Sequence, residues 1–196
     1  RFWAEYMTVP PQIYREMQEV GQDLFSLGLV SSHGGNLSVR EAPNIWITGT
    51  GTKLGHLTSN DVSFVRPDGT YDLPVPSTDT LLHNTTYAVA ESSVTAIVHA
   101  HPHHAIALSL ELEKDFFIPE DYEGLFHLRE VPLIDANSGY EQKIATELRD
   151  FPVVILRGHG AYARGVSLYE ALHWITALEE SAHISWLRKM IRTTYH

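Results

Sequence analysis

Three of the twelve histidines stand where their side chains could bind one metal ion. His99 and His101 are two residues apart at the end of the apolar run 95–100, so strand alternation places both imidazoles on one face, about 6 to 7 Å apart along the backbone. His159 lies between two glycines after a second apolar run, residues 153–156, where missing side chains permit a close approach. Three protein ligands and an open fourth position are typical of a catalytic zinc site.

Two observations bear on whether these histidines bind metal or occupy a solvent-exposed strand edge. The sequence VTAIV before His99 is apolar, which favours a central strand. Asp79, in the first turn of a predicted helix, is a candidate fourth ligand or a base. A carboxylate at that position also interacts favourably with a helix N-terminus, and the sequence alone leaves these alternatives open.

Polar residues in three short segments offer amide and hydroxyl donors to an oxyanion. One loop contains Gly35 and Asn36, another contains Thr50 and Gly51, and the pair Ser77 and Thr78 opens a helix. Separate turns that bind no common ligand would contain the same residue types, so these segments alone do not establish a binding site.

The elements that must position these residues alternate between helices and strands. Apolar periodicity and capping residues predict helices over residues 13–27, 78–90 and 140–149, and helices that begin near Pro102 and Ser167. Alternating or apolar runs predict strands over residues 37–40, 45–48, 62–65, 70–73, 95–100, 131–134 and 153–156. No single pattern fits residues 116–127. One layered domain of the α/β or α+β class, over residues 1–196, follows.

Composition narrows the classes of partner. The formal net charge of -10 argues against nucleic acid and anionic membranes, which need clustered basic residues, and favours a small-molecule ligand. With no cysteine, any metal must bind imidazole, carboxylate or carbonyl groups. The sequence contains no apolar run of membrane-spanning length and no signal-peptide pattern at its start, so we expect a cytoplasmic protein.

Five motifs now form a recognisable set: GNLSVR at 35–40, ITGTG at 47–51, PSTD at 76–79, VHAHP at 98–102 and RGHGAYARG at 157–165. In this order and spacing they resemble the class II aldolase and adducin head family, especially its fuculose-phosphate aldolase branch. The resemblance covers nearly the whole chain.

The resemblance implies a fold, an assembly and a reaction. The fold would be a mixed, mostly antiparallel sheet covered by helices, assembled as a homotetramer with sites between subunits. The zinc ligands, or those of another divalent metal, would be His99, His101 and His159. The phosphate of a sugar-phosphate substrate would bind at Gly35, Asn36, Thr50, Gly51, Ser77 and Thr78. Such aldolases cleave a phosphorylated ketose to dihydroxyacetone phosphate and an aldehyde, and the carboxylate beside the zinc moves the proton on carbon.

The sequence departs from the family's aldolases at Asp79, where they usually have Glu. Ribulose-phosphate 4-epimerases of the same family carry Asp there, so epimerase, dehydratase and decarboxylase activities stay open. A second proton-handling residue is expected among Asp121, Tyr122 and Glu123, although ordinary loop acids would look the same. A scaffold like the adducin head is the non-enzymatic alternative, but such modules lose the metal ligands. His103 and the next histidine are expected to line a helix start.

Overall fold

The computed structural model describes residues 7–195, which form six α-helices and nine β-strands. The helices are α1 (Pro11–Ser26), α2 (Thr80–Val89), α3 (His103–Glu111), α4 (Tyr122–His127), α5 (Tyr140–Asp150) and α6 (Leu168–Tyr195). The strands are β1 (Asn36–Glu41), β2 (Asn44–Thr48), β3 (Val62–Val65), β4 (Tyr71–Asp72), β5 (Ala96–Ala100), β6 (Phe116–Phe117), β7 (Val131–Ile134), β8 (Val153–Leu156) and β9 (Gly160–Gly165).

All nine strands join one sheet in the order β4-β3-β2-β1-β5-β9-β8-β7-β6. Every neighbouring pair is antiparallel except β7 and β8. The expected mixed, mostly antiparallel sheet is therefore confirmed. At its centre, β5 pairs with β1 and β9, so Asn36, His99 and Tyr162 are directly opposite one another in adjacent strands.

Helices cover both faces of the sheet, because the central strands are apolar on both sides. Val98 and its alternate neighbours pack with α1 and α6, whereas Ile97 packs on the opposite face against Tyr87 of α2. Residues of α2, α5, β8 and β9 form a further cluster on that second face. The result is a three-layer arrangement in which α2 lies over the row that contains His99.

Several predicted elements differ from the observed ones at their ends. The strand predicted at 70–73 is only Tyr71–Asp72, and α2 begins at Thr80 rather than near residue 78. The unassigned segment 116–127 forms β6 and α4. Strand β9 was not predicted at all, because its small residues lack a β-branched pattern. Across residues 7–195, no helix combines the length and apolar character needed to cross a membrane.

Candidate metal centre

The three histidines predicted as ligands come together at one end of the central strands. His99 is in β5, His101 follows that strand, and His159 lies in the turn between β8 and β9. The Nε2 atom of His99 is 3.2 Å from Nε2 of His101 and 3.2 Å from Nε2 of His159. His99 is buried, His101 is half-buried and His159 is exposed, so the centre opens towards His159.

Glycine permits this convergence at Gly160, the first residue of β9. A Cβ atom there would lie 2.5 Å from the carbonyl oxygen of Ala100 and 2.9 Å from Cε1 of His99. Gly34 has the same role on the other side, since its Cβ would lie 2.9 Å from Nδ1 of His101. Any larger residue at either position would push the imidazoles or the backbone apart.

A backbone hydrogen bond orients the imidazole of His99. Its Nδ1 donates to the carbonyl oxygen of Ala161 at 3.0 Å, which leaves the Nε2 lone pair directed at the other two histidines. Burial lowers the pKa of His99 to about 3. Burial and the neighbouring His159 also lower the pKa of His101. Neutral imidazoles are the form that binds metal, so these residues fit a divalent cation with nitrogen ligands, such as zinc.

Asp79 lies beside the histidines and makes specific contacts with two neighbours. Its Oδ2 accepts hydrogen bonds from Nδ2 of Asn36 at 2.9 Å and from the hydroxyl of Tyr162 at 3.1 Å, and it lies 3.9 Å from Nε2 of His99. Burial raises the pKa of Asp79, but the proximity of His99 and the hydrogen bond from Asn36 outweigh it, so the pKa is below its usual value. The side chain makes no capping bond to α2, although it stands at the N-cap position.

Tyr162 is a residue of this region that sequence reasoning missed. Its ring stacks on the imidazole of His99, with centroids 4.0 Å apart and planes inclined by 10°. Burial and the adjacent Asp79 raise the pKa of Tyr162 far above its usual value, so the hydroxyl remains a donor. The signal was present inside the motif RGHGAYARG, where Tyr162 is a large aromatic residue between two alanines.

The polar segments predicted to bind phosphate adjoin this centre. Gly49 forms a β-bridge with Pro76, the amide of Thr50 donates to the carbonyl of Val75 at 2.9 Å, and that of Ser77 donates to the carbonyl of Thr48 at 3.1 Å. The two loops that contain Thr50, Gly51, Ser77 and Thr78 are thereby held side by side.

The third predicted segment meets the first loop along β1. The amide of Leu37 donates to Oγ1 of Thr48 at 3.1 Å, which places the adjacent Asn36 beside that loop. Gly35 has a φ of 77°, and a Cβ there would lie 2.7 Å from the carbonyl oxygen of His99. Glycine at this position is therefore required by the packing against β5.

A buried polar row continues from Asp79 along α2. One turn further, Nδ1 of His83 lies 2.6 Å from Oγ of Ser38, which is 2.8 Å from the hydroxyl of Tyr87. His83 is fully buried, and burial lowers its pKa to about 4. Within the described residues, Nε2 of His83 and Oδ1 of Asn36 are buried without a hydrogen-bond partner.

The three candidates for a second proton-handling group lie at the start of α4. The hydrogen bond of Asp121 and the ion pair of Glu123 are with residues outside the group formed by Asp79 and the three candidate ligands. Oδ2 of Asp121 accepts from the amide of Gly124 at 2.7 Å. Glu123 pairs with His127 at 3.2 Å, and Tyr122 is 80% exposed.

His103 and His104 begin α3, as expected. The backbone amide of His104 donates to both carboxylate oxygens of Glu179 from α6, at 3.1 Å each. Nδ1 of His104 lies 2.7 Å from the same carboxylate. The contacts between His104 and Glu179 therefore join α3 to α6.

Several known proteins are similar to this chain in sequence or structure over most of their length. An L-fuculose phosphate aldolase of Methanocaldococcus jannaschii is 29% identical over 181 residues, which are 91% of this chain and 98% of that protein. A methylthioribulose-1-phosphate dehydratase of Gluconobacter oxydans is 31% identical, over 84% of this chain and 86% of the dehydratase. The crystal structure of L-fuculose-1-phosphate aldolase from Thermus thermophilus superposes with a TM-score of 0.84 at 34% identity, over 94% of this chain and 97% of that one.

The family model for the Class II Aldolase and Adducin N-terminal domain matches residues 15–186, from the first helix into the last. That span includes the three histidines, Asp79 and the polar loops. The chain therefore belongs to the class II aldolase and adducin family.

Proposed function

We propose that this protein is a zinc-dependent class II aldolase that cleaves a phosphorylated ketose, of the fuculose 1-phosphate type, to dihydroxyacetone phosphate and an aldehyde. The convergence of three imidazoles beside one carboxylate is the observation that carries the proposal. Fuculose-phosphate aldolases among the similar proteins support the same substrate class.

The residues of the centre have distinct roles in this reaction. His99, His101 and His159 would hold the divalent cation, which when bound would withdraw electrons from the ketose carbonyl. Cleavage breaks the bond between the carbon next to the carbonyl and the next hydroxyl-bearing carbon. That hydroxyl loses its proton and becomes the aldehyde, while the electron pair of the broken bond moves towards the carbonyl. We assign to Asp79 the return of a proton to the carbon beside the carbonyl, and its removal in the reverse direction.

The adjoining polar loops are the proposed phosphate site. Two amide hydrogens there, those of Gly51 and Thr78, have no acceptor within residues 7–195. Backbone amides and hydroxyls grouped near a helix N-terminus stabilise a phosphate without a basic side chain. The proposed phosphate-binding residues are Gly35, Asn36, Thr50, Gly51, Ser77 and Thr78.

Metal content and turnover test this proposal together. The purified protein should contain one divalent metal per centre and release dihydroxyacetone phosphate from at least one member of a panel of ketose 1-phosphates. His99→Ala should lose both the metal and the activity, because it removes the buried ligand. His56→Ala, which changes an exposed histidine outside the centre, should keep both. Full metal content and activity in His99→Ala would refute the proposal.

A 4-epimerase is the second candidate, favoured by the length of Asp79. Its side chain is one methylene shorter than the Glu expected in aldolases, as in the epimerases that this position resembles. Incubation with ribulose 5-phosphate, followed by analysis for the C4 epimer, distinguishes the two activities. Methylthioribulose 1-phosphate should be included, because a related dehydratase is 31% identical. Asp79→Glu should raise aldolase turnover if the shorter side chain of Asp79 is what limits that turnover.

The second proton-transfer group is assigned to Tyr122 among the three candidates. Its hydroxyl is exposed, whereas Asp121 bonds to a backbone amide and Glu123 pairs with His127. Tyr122→Phe should lower kcat by about 100-fold without changing the metal content, since a general acid or base contributes on that order. Glu123→Gln is the control and should retain kcat. If Glu123→Gln lowers kcat and Tyr122→Phe does not, the second proton-transfer group is Glu123.

We also propose a homotetramer with sites at subunit interfaces. Exposed apolar residues on α4 and α6 support it, because such side chains are typically covered in an assembly. These residues are Leu125, Phe126, Trp186, Leu187, Met190 and Ile191. Light scattering during gel filtration should give four times the subunit mass, and a monomer that turns over substrate would refute the assembly.

A further inference from the structure

We infer that the cavity between α3, β6 and the second half of α6 is a second anion-binding site, which takes a phosphorylated small molecule with an apolar part. None of the residues in the proposed phosphate loops lines this cavity, so the two sites are separate. Neither the metal nor the proposed reaction is needed for binding there.

The cavity contains a large share of the basic residues of an acidic protein. The formal net charge is -10 and the chain has only 14 lysines and arginines, yet four of these line one cavity of about 460 Å³. They are Lys114, Arg188, Lys189 and Arg192. Two carboxylates also line it, those of Glu111 and Glu120. Sites for small molecules typically have volumes of about 300 to 1,000 Å³, so the cavity is large enough for a small organic anion.

Three of the four cations lack a counter-ion in the described structure. Arg188 pairs with Glu120. Within residues 7–195, Lys114, Lys189 and Arg192 form no ion pair with a carboxylate. Like charges that line one cavity repel one another, so a bound anion would stabilise them.

An uncharged donor is present at the same cavity. Ser185 lines it, and the Oγ atom of Ser185 is buried without a hydrogen-bond partner in the part of the chain that the structure describes. Buried hydroxyls normally have a partner, so this one is available to a bound ligand. Ser185 lies on the same side of α6 as Arg188, Lys189 and Arg192, because residues three, four and seven positions apart share one side of a helix. A hydroxyl beside cationic donors suits the oxygens of a phosphate group.

Another wall of the cavity is apolar and is held in position by backbone contacts. The guanidinium of Arg157 donates to the carbonyl of Ser109 at 2.7 Å, to that of Leu112 at 2.5 Å and to that of Lys114, which fixes the segment between α3 and β6. Exposed or half-buried apolar side chains of this wall would contact the part of the ligand that carries no charge. They are Leu108, Phe116 and Ile118. The combination of apolar and cationic walls favours an organic phosphate over an inorganic ion.

Calorimetric titration of the purified protein with phenyl phosphate tests the site. Lys189→Met/Arg192→Met should weaken binding at the cavity about 100-fold, because each cation removed takes away a charged hydrogen bond that contributes about ten-fold in affinity. Ser185→Ala should weaken binding about five-fold with no change in charge. Lys143→Met/Arg149→Met is the matched control, since it removes one lysine and one arginine from exposed positions on α5, and it should keep the wild-type affinity. Any binding at the proposed phosphate loops is common to all these proteins, so the differences report the cavity alone.

Two related compounds define the class of ligand. Inorganic phosphate lacks the apolar ring, and benzoate carries a single charge on a carboxylate in place of the phosphate. Both should therefore bind about ten-fold more weakly than phenyl phosphate.

Three results would overturn the inference. They are an affinity for phenyl phosphate that is unchanged in Lys189→Met/Arg192→Met, an equal fall in the α5 control, and equal binding of the three compounds. The titration measures binding without turnover, so a failed aldolase assay would leave this site intact. A wild-type protein that does not bind phenyl phosphate would overturn this inference and leave the proposed function intact.

Discussion

The polar side chains around strands β1 and β9 differ between the two ends of these strands. At one end they include buried atoms without a hydrogen-bond partner, and at the other end they are arginines that donate to carbonyls. At the ends that begin with Asn36 and Gly160, the metal centre and its surroundings contain buried polar atoms that lack a hydrogen-bond partner in the described structure. At the other ends, Arg40 donates to the carbonyl of Tyr87 in the last turn of α2 and to those of Glu91 and Val94 after that helix. Similarly, Arg164 donates to the last carbonyls of α5.

The polar groups at the two ends therefore have different functions. Those at the arginine end stabilise the fold, and those near the histidines are retained for a ligand. Arginine donors at helix C-termini satisfy carbonyls that have no partner within the helix, and they stabilise the native state. Buried atoms without a partner destabilise it, so their retention needs another explanation, such as a bound ligand. Substitutions near the centre should therefore change metal binding or pH dependence, and substitutions at the arginine end should change only stability.

The largest effect is expected for Gly160→Ala. The new Cβ would lie 2.5 Å from the carbonyl oxygen of Ala100 and 2.8 Å from Cδ2 of His101, and the backbone carbonyl cannot swing away. Zinc affinity should fall by about 100-fold, because the imidazoles can no longer converge. Gly69→Ala is the control: it lies in a turn with open space around it, and although its φ of 83° makes alanine cost some stability, the zinc affinity should stay at the wild-type value. Chelator competition measures both, and unchanged zinc affinity in Gly160→Ala would contradict the packing argument.

The acid sensitivity of His83 gives an effect of similar size. Its pKa is about 4 in the folded state, against an ordinary histidine value of 6.5 that applies to the unfolded chain. The unfolded chain therefore binds more protons between these values, and the free energy of unfolding should fall as the pH drops from 6.5 to 4, by about 3 kcal/mol. Well above pH 6.5 the histidine is neutral in both states, and the free energy of unfolding no longer depends on its titration.

His83→Gln tests this assignment, because glutamine can still bond to Ser38 but does not titrate. Urea unfolding of metal-free protein at several pH values should show that the wild type loses about 3 kcal/mol more than the variant between pH 6.5 and 4. The depressed pKa of His99 affects both proteins equally and cancels from the difference. Parallel pH profiles would show that His83 does not titrate in this window.

The sequence predicted the parts of the centre that local patterns encode. His99 and His101 follow from strand alternation, and His159 from its flanking glycines. The bonds of Asp79 were not predictable in this way, because its partners Asn36 and Tyr162 are 43 and 83 residues distant along the chain.

Strand β9 shows a second limit of prediction from sequence. Apart from Tyr162, its buried residues are alanine and glycine, which carry little intrinsic strand preference, and its place depends on pairing with β5 and β8. The mixed, mostly antiparallel sheet, by contrast, followed from the family resemblance, and every helix except α4 followed from periodicity and capping residues. The closeness of the two loops that are proposed to bind phosphate depends on backbone hydrogen bonds between distant segments, such as that from Thr50 to Val75.

A smaller effect on stability is expected at the arginine end. Arg40→Met removes three charged hydrogen bonds to carbonyls while keeping the aliphatic stem, and should lower the free energy of unfolding by about 2 kcal/mol. Zinc affinity should not change, because these carbonyls lie at the far end of α2. Arg149→Met is the control, since its ion pair with Asp150 is exposed to solvent and should contribute little to stability. A change in zinc affinity in Arg40→Met would show that the two ends are coupled.

The smallest expected effect is at Asp121, which combines the two kinds of polar atom in one side chain. Oδ2 caps α4 through the amide of Gly124, whereas Oδ1 is buried without a partner. We expect the capping role to dominate, so Asp121→Ala should lower the free energy of unfolding by about 1 kcal/mol. Asp121→Asn, which retains a capping oxygen and removes the charge, should keep both stability and kcat. If kcat falls in Asp121→Asn at full metal content, the carboxylate of Asp121 takes part in proton transfer. Its Oδ1 would then be retained for the reaction, like the buried atoms without a partner near the candidate metal centre.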